Sequence, residues 1–196
     1  MEGLFWFLFA YCLLERLGEL VISRRNHRAM RTKGFIETES KAGMGAMIAL
    51  HATWYLSLLF EGLVRPLHVV MLVRMGALTL FILAQGLRFW TLISLGSFWN
   101  ISVLTKGDSE HNFISSGPYR YIRHPNYLVV ILELCTLPLI GDAPITSLLF
   151  TLANGLLLRR RIPLEEESLL KIPGYRDIMG QKPRFIPSRR ASVICL

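Results

Sequence analysis

Apolar stretches long enough to cross hydrocarbon recur along this chain, and no other feature restricts its fold so strongly. Within a bilayer every backbone N–H and C=O must be satisfied internally, so a segment of about 20 apolar residues is read as a helix. The first run extends from about Leu4 to Ile22, the second from about Met44 to Val64 and the third from Val69 to about Leu95. Two shorter runs, Tyr127 to Ile140 and Ile145 to Leu158, are joined by Gly141, Asp142, Ala143 and Pro144, a spacing that predicts a helical hairpin. With 52% hydrophobic residues and a mean hydropathy of +0.41, the 196 residues leave little for a separate soluble module. The reading is a single all-α, polytopic membrane domain over 1–196, with about five transmembrane helices. Three N-terminal spans fall within 1–95, and a long polar loop, the hairpin and a C-terminal segment within 96–196. A count of four, with the hairpin re-entrant, is the alternative topology. The first run lacks the basic region and small-residue cleavage site of a signal peptide, so it is taken as a retained span.

The charges fit this topology. Lys and Arg exceed Asp and Glu by 22 to 14, a net +8, yet they cluster where apolar runs end. Arg24, Arg25, Arg28, Arg31, Lys33 and Lys41 follow span one; Lys106, Arg120 and Arg123 lie in the loop before span four; Arg159, Arg160 and Arg161 follow span five. These fall on every second connection, whereas the opposite loops hold only Arg65 and Asp142 as charges, so the positive-inside rule makes the basic side cytoplasmic and the N-terminus external. Membrane lipids, not nucleic acid, are the expected partners of so placed a charge excess. Cys12, Cys135 and Cys195 are scattered without metal-like spacing, so neither a disulfide nor a metal is expected. Cys195 is one residue from the end, whereas a prenylation box needs its Cys four from the end.

Several polar residues interrupt the apolar runs. Glu15, Arg16 and Glu19 are costly in hydrocarbon, and are read either as a helix end near the headgroups with one internal ion pair or as a polar cavity wall. His51 and Trp54 are read as packing residues of span two, and Arg88 and Trp90 as border anchors, with a place along an acceptor tunnel as the alternative. Glu133 in span four calls for a partner, with structural pairing and function equally open.

Two polar clusters sit on the same predicted side: Gly117 to Tyr127, before span four, and Arg159 to Glu167, after span five. In the first, Pro125 biases His124 toward extended backbone, which presents amides to a ligand. In the second, Glu165 lies four residues after Arg161, the helical spacing for one shared face, although Pro163 leaves a continuous helix open. Both charge signs within one site suit a zwitterionic cofactor. A basic membrane border followed by an acidic helix start is the alternative.

The ordered set Arg123, His124, Pro125, any residue, Tyr127, then Glu165 and Glu166 after one hairpin, resembles the isoprenylcysteine carboxyl methyltransferase family of integral membrane enzymes. The likeness covers roughly His111 to Pro187, including the Tyr175 region and the closing Arg184, Phe185, Ile186 and Pro187. It implies an S-adenosylmethionine pocket facing the cytoplasm, with contacts from His111, Asn112, Phe113, Ile114, Tyr119, His124, Pro125, Asn126, Tyr127, Glu165 and Glu166, and a tunnel opening sideways into the bilayer for a lipophilic or prenylated acceptor. Arg161 matches the arginine such enzymes use at the acceptor. Asn126 also stands where it can cap span four. Leu104 departs from relatives that place a polar side chain near the cofactor, so contact there would come from backbone. Within this resemblance the bacterial-looking opening Glu19 to Asn26 puts a long-chain phenol or pyrone before prenylcysteine as acceptor, with phospholipid amine methylation third. A nicotinamide-dependent membrane reductase and a non-catalytic lipid-binding protein are the competing classes.

Overall fold

The computed structural model describes residues 2–37, 41–64, 67–101, 104–105 and 113–187. Five long helices appear where the apolar runs predict them: α1 (Glu2–Thr32), α2 (Lys41–Val64), α3 (Met71–Leu95), α4 (Pro125–Ile140) and α5 (Pro144–Leu169), followed by the short α6 (Tyr175–Met179). Helices α1 and α5 outrun their apolar segments. Past Ile22 and Leu158 a helix needs only good local formers, and the basic and acidic stretches supply them. Pro163 is accommodated inside α5 because the bond it cannot make would go to the Arg159 carbonyl, and both residues are exposed to solvent. The one departure from an all-helical chain among the described residues is an antiparallel pairing of β1 (Ile36–Glu37) with β2 (Leu104–Thr105), in register Ile36 to Thr105 and Glu37 to Leu104. Two residues carry no periodicity, so the sequence offers no sign of it. The Leu104 backbone is therefore engaged with Glu37.

The helices alternate in direction. At the end opposite the basic stretches, Phe5 of α1 packs so closely on the α4–α5 turn that a Cβ on Gly141 would lie 2.3 Å from its ring. In that turn Asp142 takes a left-handed φ of 58°, which a short polar side chain tolerates. Its carboxylate accepts the Val69 N–H at 2.9 Å and Arg74 Nη1 at 3.0 Å, tying the turn to the start of α3. Glu61 of α2 caps α5 from outside, accepting the N–H groups of Ile145 (3.0 Å) and Thr146 (2.7 Å) and the Thr146 hydroxyl (2.6 Å). Helix α4 is central: Leu134, Leu137 and Ile140 are buried in one core with Phe5, Leu58 and Phe81.

Polarity is distributed as in a membrane protein. Leu72, Ile93, Phe60, Leu148 and Leu156 point outward, while the interior holds charge. Two stretches, Ala42–Val64 and Met71–Phe98, are long and apolar enough to cross a membrane, and α4 is a shorter apolar helix. Arg88 is fully buried and is not the border anchor its position suggests. It donates through Nε to Glu133 (2.8 Å) and through Nη1 to Glu19 (2.6 Å), and pairs through Nη2 with the second Glu133 oxygen. Arg16 bridges the same two carboxylates at 2.7 and 2.8 Å, and Gln85 donates to Glu133 at 2.7 Å. The span-one charges thus form more than one internal ion pair. They join α1, α3 and α4 in a network, and Glu133 pairs inside it.

Candidate active site

Pro125 begins α4 at its first turn, where its missing N–H costs nothing, and His124 stands before it as the non-helical residue. Pro118 likewise starts a short 3₁₀ turn, Gly117–Arg120, that leads into the motif. Gly117 is required there: its φ is +60°, and a Cβ would meet Ser94 Oγ at 2.0 Å. The C-terminal segment then clamps the motif through two successive backbone bonds, Arg123 N–H to Pro183 O at 2.9 Å and His124 N–H to Arg184 O at 3.0 Å.

From the other side, α5 brings Arg161 and Glu165 onto one face. Arg161 Nε donates to the Tyr127 hydroxyl at 2.9 Å, Tyr127 donates to Glu165, and Arg161 Nη2 donates to the Ile101 carbonyl. The guanidinium also lies 5.8 Å from the centre of the Tyr127 ring, which in turn stacks on His124. Glu166 faces away from this group. It binds His124 Nε2 at 3.0 Å, Arg123 Nη1 at 3.1 Å and Arg184 Nη2 at 2.7 Å. Burial alone would raise the Glu166 carboxyl, but hydrogen bonds from Arg184 and His124 and the Arg123 charge outweigh it and hold it below the usual range. Burial, followed by the nearby Glu165 charge, pushes the phenols of Tyr119 and Tyr175 up, so both stay neutral donors.

One cavity of about 440 Å³ opens beside them. Phe113, Ile114, Tyr119, His124, Asn126, Tyr127, Arg161 and Glu165 all line it. Pro125 and Glu166 do not, and act from behind the wall. His111 and Asn112 lie outside the described residues. Asn126 does not cap α4, whose start has no side-chain cap bond, and its buried Oδ1 has no hydrogen-bond partner among the described residues. At the basic end the cavity is covered by Tyr175 and Met179 of α6, with Tyr175 edge-on to Phe113 at 5.2 Å. Away from that end it runs between α1 and α2, past Leu13 and Leu17 on one side and Met47 and Ile48 on the other. Leu17 and Ile48 are each 51% exposed, so the wall between α1 and α2 is open rather than closely packed here. Arg16 and Glu19 also line it, so the polar-wall reading of span one holds together with ion pairing.

Sequence reasoning gave no role to Arg184, whose side chain fastens Glu166, or to Ile101, whose carbonyl orients Arg161. Arg184 lies inside the stretch of family likeness, which was the available signal. A backbone carbonyl leaves none.

Residues 77–171 match the model of the isoprenylcysteine carboxyl methyltransferase (ICMT) family. The chain is 33% identical over 166 residues to the uncharacterized protein YpbQ of Bacillus subtilis, covering 85% of this chain and 96% of that one. It is 31% identical over 115 residues to the protein-S-isoprenylcysteine O-methyltransferase of Schizosaccharomyces pombe, covering 57% of this chain and 48% of that enzyme, and so spans about half its length. A solved structure of the eukaryotic intramembrane Ras methyltransferase ICMT superposes with a TM-score of 0.57 at 25% identity, over 72% of this chain and 52% of that one.

Proposed function

Since the chain belongs to the isoprenylcysteine carboxyl methyltransferase family and carries its membrane helices, we propose that it transfers a methyl group from S-adenosylmethionine to a carboxylate or acidic hydroxyl of a lipid-like acceptor. The observation that carries this reading is the junction of Arg161, Tyr127 and Glu165 at the meeting point of a rim pocket and a lateral gap.

The residues present fit the cofactor. Asn126, whose buried Oδ1 has no partner among the described residues, lines the cavity together with Glu165 and Tyr119. Acceptor oxygens, a carboxylate and aromatic faces are the partners that an ammonium, a ribose and a purine need. When bound, S-adenosylmethionine supplies an activated methyl group on a cationic sulfonium. Phe113, Ile114, Tyr119, His124, Asn126, Tyr127 and Glu165 would hold it, with Pro125 shaping the turn and Glu166 fixing His124; His111 and Asn112 complete the proposed set.

The chain's own task is positioning. An acceptor oxygen that is already ionised needs no strong general base, so Arg161 is assigned to hold the anion through paired hydrogen bonds. Tyr127 keeps the guanidinium aimed and links it to Glu165, so that anionic and cationic partners are held in line. The apolar walls exclude water, which strengthens the attraction between them. Leu13, Leu17, Met47 and Ile48 give the acceptor's tail a path from the bilayer. The exposed Arg24, Arg25 and Arg28 lie on the end of α1 that bears the cavity mouth, which supports a cytoplasmic orientation. An amphipathic phenol or pyrone is placed first as acceptor and prenylcysteine second.

The test is transfer of labelled methyl from S-adenosylmethionine into a total lipid extract by detergent-purified protein, followed by identification of the product. Arg161→Ala should lower turnover on the order of 100-fold, with cofactor affinity little changed. Cofactor binding with no labelled lipid would end the methyltransferase reading, and undiminished labelling by the variant would remove Arg161 from it.

A further inference from the structure

The mid-membrane part of the cavity is not purely hydrocarbon. His51 of α2 and Asn154 of α5 both line it. Asn154 is fully buried, and neither its amide nitrogen nor its amide oxygen has a protein partner among the described residues. An amide covered this way destabilises its fold, so a ligand that accepts from its N–H groups is the natural reason for its presence. His51 carries the complementary half. Its Nδ1 lies 2.9 Å from the Met47 carbonyl, which only accepts, so Nδ1 bears the proton and Nε2 is left as an acceptor.

The two residues stand at similar depth. The Ser57–Thr146 hydrogen bond sets the register of the antiparallel α2 and α5. From it, His51 is six residues and Asn154 eight residues toward the basic end, or roughly 9 and 12 Å at the helical rise. A group that donates to His51 Nε2 while accepting from the Asn154 amide is a hydroxyl. Arg161 lies seven residues beyond Asn154 on the same cavity-lining face, about 10 Å along the helix axis.

We propose that His51 and Asn154 form a second polar subsite, which takes a hydroxyl carried part-way along the acceptor's chain, about 10 Å from the oxygen that is methylated. This rests on the methyltransferase reading for the identity of its ligand, but not for its existence. An extended chain covers that distance in about eight carbon–carbon bonds of near 1.5 Å. The acceptor class is therefore an acidic lipid with a secondary hydroxyl near mid-chain, not a plain hydrocarbon tail.

The test uses the full-length protein in detergent with three probes: octadecanoic acid, 3-hydroxyoctadecanoic acid and 10-hydroxyoctadecanoic acid. Wild type should bind the 10-hydroxy acid about tenfold more tightly than the other two. Asn154→Leu should bind all three alike, and His51→Leu should show the same levelling. Without ligand, Asn154→Leu should melt no lower than wild type, because it removes an unpaired buried amide. A lower melting point would show that the amide holds the fold and would overturn the subsite. Equal binding of the acids by wild type, or a preference surviving in Asn154→Leu, would overturn it too. S-adenosylmethionine titration of the same samples separates the two levels: loss of cofactor binding defeats the methyltransferase reading, while acid discrimination judges the subsite.

Discussion

Replacing Arg88 by methionine leaves a side chain of similar length but strips three charge-assisted bonds from the middle of the bundle: those to Glu19 and to both oxygens of Glu133. Neither carboxylate can turn to water, since Glu19 and Glu133 are only 4% and 5% exposed. The cluster of Glu15, Glu19 and Glu133 would then face a single guanidinium, that of Arg16, which keeps its bonds to Glu19 and Glu133. Breaking a buried pair by removing one partner costs about 3–5 kcal/mol, and the surviving Arg16 contacts place this case near 3 kcal/mol. For a chain of this size that lowers the melting temperature by about 6–12 °C. Thermal unfolding followed by size-exclusion fluorescence in one detergent reads the shift directly. Arg88→Met combined with Glu133→Gln should lose less than the two single variants added together, because each single change strands a partner that the double change does not. If Arg88→Met melted within about 2 °C of wild type, the network would not be what joins α1, α3 and α4.

Two further outcomes are expected. Glu166 has a depressed carboxyl pKa in the folded chain, so its contribution is complete above the ordinary glutamate value of about 4.3 and is lost as pH falls through the lower folded value. Melting curves taken from pH 7 down to pH 3 should show this loss in wild type and not in Glu166→Gln; an identical acid limb in both would be the contrary result. Glu61→Ala leaves the N–H groups of Ile145 and Thr146 without their cap and should destabilise the protein by about 2 kcal/mol, whereas an unaltered melting point would show that α5 starts without it.

Much of the architecture was legible because it is one-dimensional. Apolar run length marks where α2, α3 and α4 lie within a few residues, and the turn Gly141 to Pro144 announces the hairpin. The ordered motif from Arg123 to Tyr127 and the later Glu165 also point to the residues that meet at the cavity. Within that motif the spacing already sets Glu165 on the Arg161 face, but it gives no sign of where Glu166 turns. On a helix adjacent residues point about 100° apart, so Glu165 enters the wall while Glu166 turns to His124, Arg123 and Arg184. Arg88 was misread for a related reason: a cation near the end of an apolar run looks like a headgroup anchor unless its partners are known, and those lie 69 and 45 positions away.

Composition and run length determine that this chain folds as a helical membrane protein, and the spacing of a few residues determines its family. Both are properties of neighbours along the chain. Where Glu166 turns, which arginine is buried, and where His51 stands relative to Asn154 and Arg161 were decided only by packing, because in hydrocarbon a polar group's role depends on the partner that reaches it from another helix.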